Sequence, residues 1–198
     1  MRGELQNRGA FQAGLVLVGT LGYMAWLNEL GAIATSVRTL DIDLARRQRL
    51  KLAAPLPFLG TLQATGLPFA AVPWLRASES ATSVKLPGVQ GLRIDVLAPG
   101  ARLGSTARVP ALAWAAQATR FAWHKLYSST QRRGFREKAA KDQQQALVLA
   151  AILAESDPLA LRLAFAEAEN RLAGMTFNHG IVVLIDLLRE LLYKKKKI

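Results

Sequence analysis

The sequence predicts an α+β protein, with a mixed sheet-and-helix half over residues 1–108 and an all-helical half over residues 109–198. Three observations carry that expectation. Short apolar runs bounded by glycine and proline recur as far as Pro99-Gly100, as strands and tight turns would. Beyond Pro110 the pattern changes to long helical periods. The run Arg38-Thr39-Leu40-Asp41-Ile42-Asp43-Leu44 alternates polar and apolar residues. As a strand it points Asp41 and Asp43 to one face and Leu40, Ile42 and Leu44 to the other.

Taken in order, Ala13 to Val18 reads as a buried strand, Gly19-Thr20 as a turn and Leu21 to Leu30 as a helix stopped by Gly31. A strand, a glycine turn and a helix make a place where backbone amides can approach a phosphate, although most such turns only connect elements. Ile33 to Val37 leads into the Asp41 strand, and Arg46, Arg47, Arg49 and Lys51 follow as a basic edge. Phe58 to Ala64 reads as a short helix and Phe69 to Val72 as a short strand ended by Pro73. Ala77 to Ser80 is a polar turn. Ala81 to Leu86 and Leu92 to Leu97 form a hairpin around Pro87-Gly88, with Ser83 and Lys85 on one face and Asp95 on the partner strand. The helical half offers Leu112 to Ser129, a charged break at Gln131 to Arg136, Glu137 to Glu155, and Pro158 to Leu172 with proline in its first turn. In that last helix Glu167 and Glu169 read as exposed. His179 to Tyr193 is a further apolar segment before the basic tail Lys194 to Lys197.

Composition narrows the chemistry. The chain has 198 residues, 51% of them apolar, which is enough for a sizeable core. It has no cysteine, so disulfides, thiolate metal sites and cysteine nucleophiles are excluded. With only His124 and His179, a histidine-rich metal site is not expected. The net charge of +12 suits a polyanionic partner such as nucleic acid or nucleotide phosphate, and it also suits mere solubility. Phe11 to Asn28 carries no charge, but it is short for a membrane span and contains Gly14, Gly19 and Gly22. A buried strand followed by a buried helix explains the same apolarity, so a cytoplasmic protein is expected.

Two like charges side by side on a strand need compensation, and a divalent cation held by hard oxygen ligands is the usual one. Asp95, in the run Leu92-Arg93-Ile94-Asp95-Val96-Leu97, offers a third carboxylate in similar surroundings. Two adjacent strands would present Asp41, Asp43 and Asp95 as one acidic cluster. The competing reading is a solvated strand edge. His124 and Lys125, taken alone, read as a buried histidine and a solvated helix residue.

The ordered set Leu15-Val16-Leu17-Val18-Gly19-Thr20, Arg38 to Asp43, Ser83-Val84-Lys85, Leu92 to Leu97, Arg120-Phe121-Ala122-Trp123-His124-Lys125-Leu126 and Lys138-Ala139-Ala140-Lys141-Asp142 resembles a known group. It is similar to bacterial nucleotidyltransferase-fold proteins of the DNA polymerase β-like superfamily, relatives of the AbiE-type toxin nucleotidyltransferases, over roughly residues 10 to 155. The resemblance implies that Asp41, Asp43 and Asp95 hold two Mg²⁺ ions. It implies that Gly19, Thr20, Arg38, Lys85 and Lys125 bind the nucleotide, with Lys138 and Lys141 as lesser candidates. Asp142 is expected to order lysine or arginine side chains between helices. The implied reaction moves a nucleotide from an NTP to a hydroxyl of RNA, tRNA included, or of a protein, and an antitoxin is the implied partner. Relatives carry a longer segment where Ala111 to Thr119 stands here. A degenerate member that only binds nucleotide or nucleic acid is therefore the alternative.

Overall fold

The computed structural model describes residues 2–33, 39–46, 57–73, 83–99, 108–109, 117–132, 134–172 and 186. The chain divides into two compact units: Met1–Ala25 with Ile33–Ala113, and Trp26–Ala32 with Trp114–Ile198.

The first unit is built on strands β1 (Leu15–Val18), β2 (Asp41–Arg46), β3 (Ala70–Ala71), β4 (Ser83–Lys85) and β5 (Arg93–Pro99), ordered β1-β2-β5-β4-β3. Strands β2 and β5 run parallel, and the other three pairs in that order are antiparallel. A short strand β6 (Arg108–Val109) pairs in parallel with the end of β5. The sheet is therefore mixed, and with the helices the fold is α+β. One sheet face is apolar because alternate residues along each strand point the same way. Leu15, Ile42, Leu44, Val84 and Ile94 from that face form a buried core with Leu5, Leu62 and Phe69. Leu44 and Ile94 are at most 1% exposed, and burying such a side chain is worth roughly 2 kcal/mol. Leu5 comes from helix α1 (Arg2–Asn7) and Leu62 from helix α3 (Phe58–Gln63).

Several elements differ from the sequence reading. Helix α1 was not expected, because Leu5 is the only large apolar residue in its short span; the Arg8–Glu4 ion pair at 3.1 Å links its end. Strand β1 begins at Leu15 rather than Ala13, since Gly14 holds a φ of +106° in the turn before it. Strand β2 begins at Asp41. Leu40 thus lies outside the strand and is exposed rather than on the apolar face, although its carbonyl still accepts the Arg93 N–H at 2.8 Å. Helix α2 (Gly19–Glu29) starts directly at the end of β1. It ends as Gly31 suggested: Gly31 has a φ of +72°, its N–H bonds the Asn28 carbonyl, and the Ala32 N–H bonds that of Leu27. That pattern satisfies carbonyls a helix end leaves open.

The second unit holds α4 (Ala118–Gln131), α5 (Arg136–Ser156) and α6 (Pro158–Leu172). Phe121, Trp123 and Leu126 of α4, Leu149 and Leu153 of α5, and Leu161 and Phe165 of α6 are buried. The Trp123 and Phe165 rings lie 4.6 Å apart. Asp157 joins the last two helices: its carboxylate accepts the Ala160 N–H at 3.1 Å, and Pro158 follows where a missing N–H costs nothing. Glu167, expected to be simply exposed, pairs with Arg120 at 2.8 Å. Among the described residues, no helix is long and apolar enough to cross a membrane, and Phe11 to Asn28 runs through β1 and α2. Arg38, the turn at Ala77 to Ser80, Trp114, Lys194 to Lys197 and all of His179 to Tyr193 except Asp186 lie outside the described residues.

Candidate active site

The face of the sheet opposite the core carries the acids, and strand register decides which of them meet. Across the parallel pair, Asp43 stands opposite Asp95 and Asp41 opposite Arg93. Across β5 and β4, Ser83 stands opposite Asp95 and Lys85 opposite Arg93. Across β1 and β2, Val18 stands opposite Asp43. Two rows result. One runs Val18, Asp43, Asp95, Ser83; the next runs Asp41, Arg93, Lys85, so charges of both signs share this face.

Gly19 follows Val18 and therefore lies beside Asp43. Its φ is +65°, and a Cβ built on it would stand 2.9 Å from both Cβ and Cγ of Asp43. Only glycine fits here, for backbone and for space. Thr20 is buried at the first turn of α2. The corner between β1 and α2 thus brings a helix N-terminus next to a carboxylate. Backbone N–H groups at such an end favour anions.

Asp95 is already engaged. Its Oδ1 accepts the Arg93 Nε–H at 3.0 Å and the Ser83 hydroxyl, while Arg93 Nη2 donates to Ser83 Oγ at 3.2 Å. Sequence reasoning placed Asp95 among candidate ligands and missed both partners. The signal was present: Arg93 precedes Asp95 by two on a strand, and the hairpin register brings Ser83 across. Asp41, the first residue of β2, is exposed; its N–H bonds Thr39 Oγ1 at 3.3 Å. Lys85 turns back on its own hairpin and donates to the Val89 carbonyl at 3.3 Å.

The acids can be tested against a divalent ion. Hard carboxylate oxygens on adjacent strands suit Mg²⁺ by donor type, but the space left by the missing Cβ at Gly19 is taken by the Asp43 carboxylate itself. The side chains as placed do not close a cage. Among the described residues no group of three His, Cys, Asp or Glu side chains is drawn together enough to hold an ion. A guanidinium compensates Asp95 instead.

In the helical unit, Lys125 is 5% exposed and donates to Asp142 Oδ1 at 2.8 Å, while Arg132 Nε reaches Asp142 Oδ2 at 2.5 Å. Asp142 orders a lysine and an arginine, the role its position suggested. Burial pulls the Lys125 ammonium below the usual lysine range, and Asp142 partly restores it. His124 is buried, its Nδ1 has no partner, and burial with the Lys125 charge lowers its pKa to about 4. Lys138 is exposed, with its ammonium 5.9 Å from the Phe135 ring centroid.

A family model described as Nucleotidyltransferase matches residues 3–119. That is more than half of the chain, and the chain belongs to this family. Membership supports nucleotidyl transfer as the general chemistry and an NTP as the substrate class. No curated protein and no solved structure matches the chain.

Proposed function

We propose that this member of the family moves a nucleotide from an NTP to a hydroxyl of an RNA, with tRNA the first acceptor to try and a protein hydroxyl the second. The observation that carries the reading is the register: Asp43 beside Asp95, with Gly19 and the start of α2 against Asp43. The charge of +12 supports a polyanionic acceptor. Asp41, Asp43 and Asp95 would hold Mg²⁺, two ions by family resemblance. When bound, the metal neutralises charge developing on the phosphoryl group and aligns attacking and leaving oxygens.

The chain's own residues do the rest. Backbone N–H groups of Gly19 and Thr20 at the start of α2 receive phosphate oxygens. Lys85 lies one strand beyond Arg93 in the row that begins at Asp41, and adds positive charge for the same anion. A carboxylate beside the acceptor hydroxyl takes its proton as the oxygen attacks the α-phosphorus and pyrophosphate leaves. Arg38 joins the nucleotide-binding set on the resemblance alone; the resemblance gives Lys125 the same role, but within the helical unit Lys125 is buried and paired with Asp142. The reaction is assigned to the cytoplasm, where NTP and tRNA are available. An AbiE-type antitoxin partner is part of the proposal and is tested by co-purification.

The engaged state of Asp95 favours a second reading, a degenerate member that binds nucleotide without transferring it. Incubation with α-labelled NTPs, Mg²⁺ and total tRNA separates the two. Label transfer is expected, falling at least about 100-fold in Asp41→Ala/Asp43→Ala, the order of loss seen when a group stabilising transition-state charge is removed. Nucleotide binding without transfer, unchanged in that variant, would establish the second reading.

A further inference from the structure

Aromatic side chains in this protein are kept from solvent, with one exception. Among the described residues every phenylalanine, tyrosine and tryptophan is buried or half-buried apart from Phe135, which is 61% exposed. It stands immediately before α5, in the helical unit. A large ring left in water forgoes the stabilisation that burial brings. The ring's surroundings are charged rather than apolar. Between Gln131 and Gln144 Phe135 is the only large apolar residue, while Arg132, Arg133, Arg136, Lys138 and Lys141 stand against Glu137 and Asp142. Asp142 is engaged inside the unit by Lys125 and Arg132. Arg136 and Lys138 are exposed, and the Lys138 ammonium lies 5.9 Å from the Phe135 ring centroid.

We infer that this corner is a docking surface for single-stranded RNA, with Phe135 stacking on one base and Arg136 and Lys138 holding the phosphates beside it. The inference rests on the proposal that the acceptor is an RNA, and adds where the strand is held. An unstacked base of any kind offers its face to an aromatic ring, and cations track the backbone on either side. The Lys138 ammonium, at cation–π distance, steadies the ring from its own helix. A protein partner fits this corner less well. An aromatic anchor between proteins is surrounded by further contacts that exclude water, and this stretch has no second large apolar residue to supply them. Duplex RNA fits less well too, because its bases are already stacked on one another. Arg132 takes no part, since Asp142 holds it.

The test is fluorescence anisotropy of the full chain with a labelled single-stranded RNA oligomer of mixed A and U. Without NTP or Mg²⁺ present, no transfer enters the reading. Phe135→Ala is expected to bind about tenfold more weakly, within the range one stacked base contributes, with its salt dependence unchanged. Phe135→Trp should keep the wild-type affinity. Arg136→Gln/Lys138→Gln should reduce the slope of log affinity against log salt by about 1.4, as two phosphate contacts on a single strand require. Duplex RNA of the same length should not distinguish Phe135→Ala from the wild type. Wild-type affinity in Phe135→Ala, or an equal loss on duplex RNA, overturns the stacking surface and leaves RNA standing as the acceptor. No RNA binding by the wild type overturns the surface and the RNA acceptor together. Phe135-dependent binding by a protein that transfers no nucleotide upholds the surface and fails only the transfer reading.

Discussion

Asp142 shows how much one side chain can carry. It is 1% exposed, and both its oxygens are used, one by buried Lys125 and one by Arg132. A buried pair of this kind adds little over a well-packed apolar pair, but removing one partner strands a charge away from water. Asp142→Ala should therefore cost the helical unit about 3–5 kcal/mol, read as a fall in the denaturation midpoint. Lys125→Met/Asp142→Leu should recover most of that loss, because neither charge is then left behind. A double variant as unstable as the single one would show that Arg132, rather than Lys125, is the cation that needs this acid. The role of Asp142 was legible in the sequence because its motif places it among basic residues. The identity of its partners was not: Lys125 reads as a solvated helix residue or a nucleotide ligand, yet it is buried against Asp142, and Arg132 lies in the break between two helices, where spacing says little about side-chain direction.

At the scale of elements, the junction of β1 and α2 links fold and site most tightly. Gly19 ends one element and begins the other with a φ of +65°, and Asp43 fills the space where a side chain would be. Gly19→Ala should destabilise the first unit by at least about 1 kcal/mol from the backbone alone. It should also reduce nucleotide transfer more than global unfolding explains, because the new methyl pushes on Asp43. Comparing activity with the folded fraction at matched temperature separates the two effects. Gly31→Ala is the control: its φ is also positive, at +72°, but nothing lies within 4 Å of an added Cβ, so it should lose stability without a specific loss of transfer. Elements with strong local signals were readable. The Gly31 stop, the hairpin around Pro87-Gly88 and the proline-led α6 are examples, because each depends on a residue with few backbone options. Helix α1 was not readable, since one leucine in six residues makes no period. The Arg93–Asp95–Ser83 contact was not foreseen: the hairpin put Asp95 on the strand paired with that of Ser83, but which side chain meets the acid depends on register and rotamers that spacing does not give.

For the whole molecule, folding stability should depend on pH through His124. Its pKa in the folded chain, about 4, lies below its ordinary 6.5, chiefly from burial and then from the Lys125 charge, with Asp142 opposing and Arg132 adding to the lowering. The unfolded chain therefore binds more protons between these values, and stability rises with pH across that window. The contribution is intact above pH 6.5 and is lost as pH falls toward 4, by about 3 kcal/mol in total. Melting curves from pH 7.5 to 5 should show the decline, and His124→Gln should flatten it. A different consequence follows from the strand order. Strand β5 lies between β2 and β4, although it comes after both in the chain. During synthesis Asp41 and Asp43 leave the ribosome well before Asp95, and no local hairpin can bring the two strands together. Their pairing waits for closure of the long loop between them, a slow step in folding. A nascent or truncated chain that has not completed this closure has no paired acids, so Asp43 and Asp95 meet only in a finished sheet.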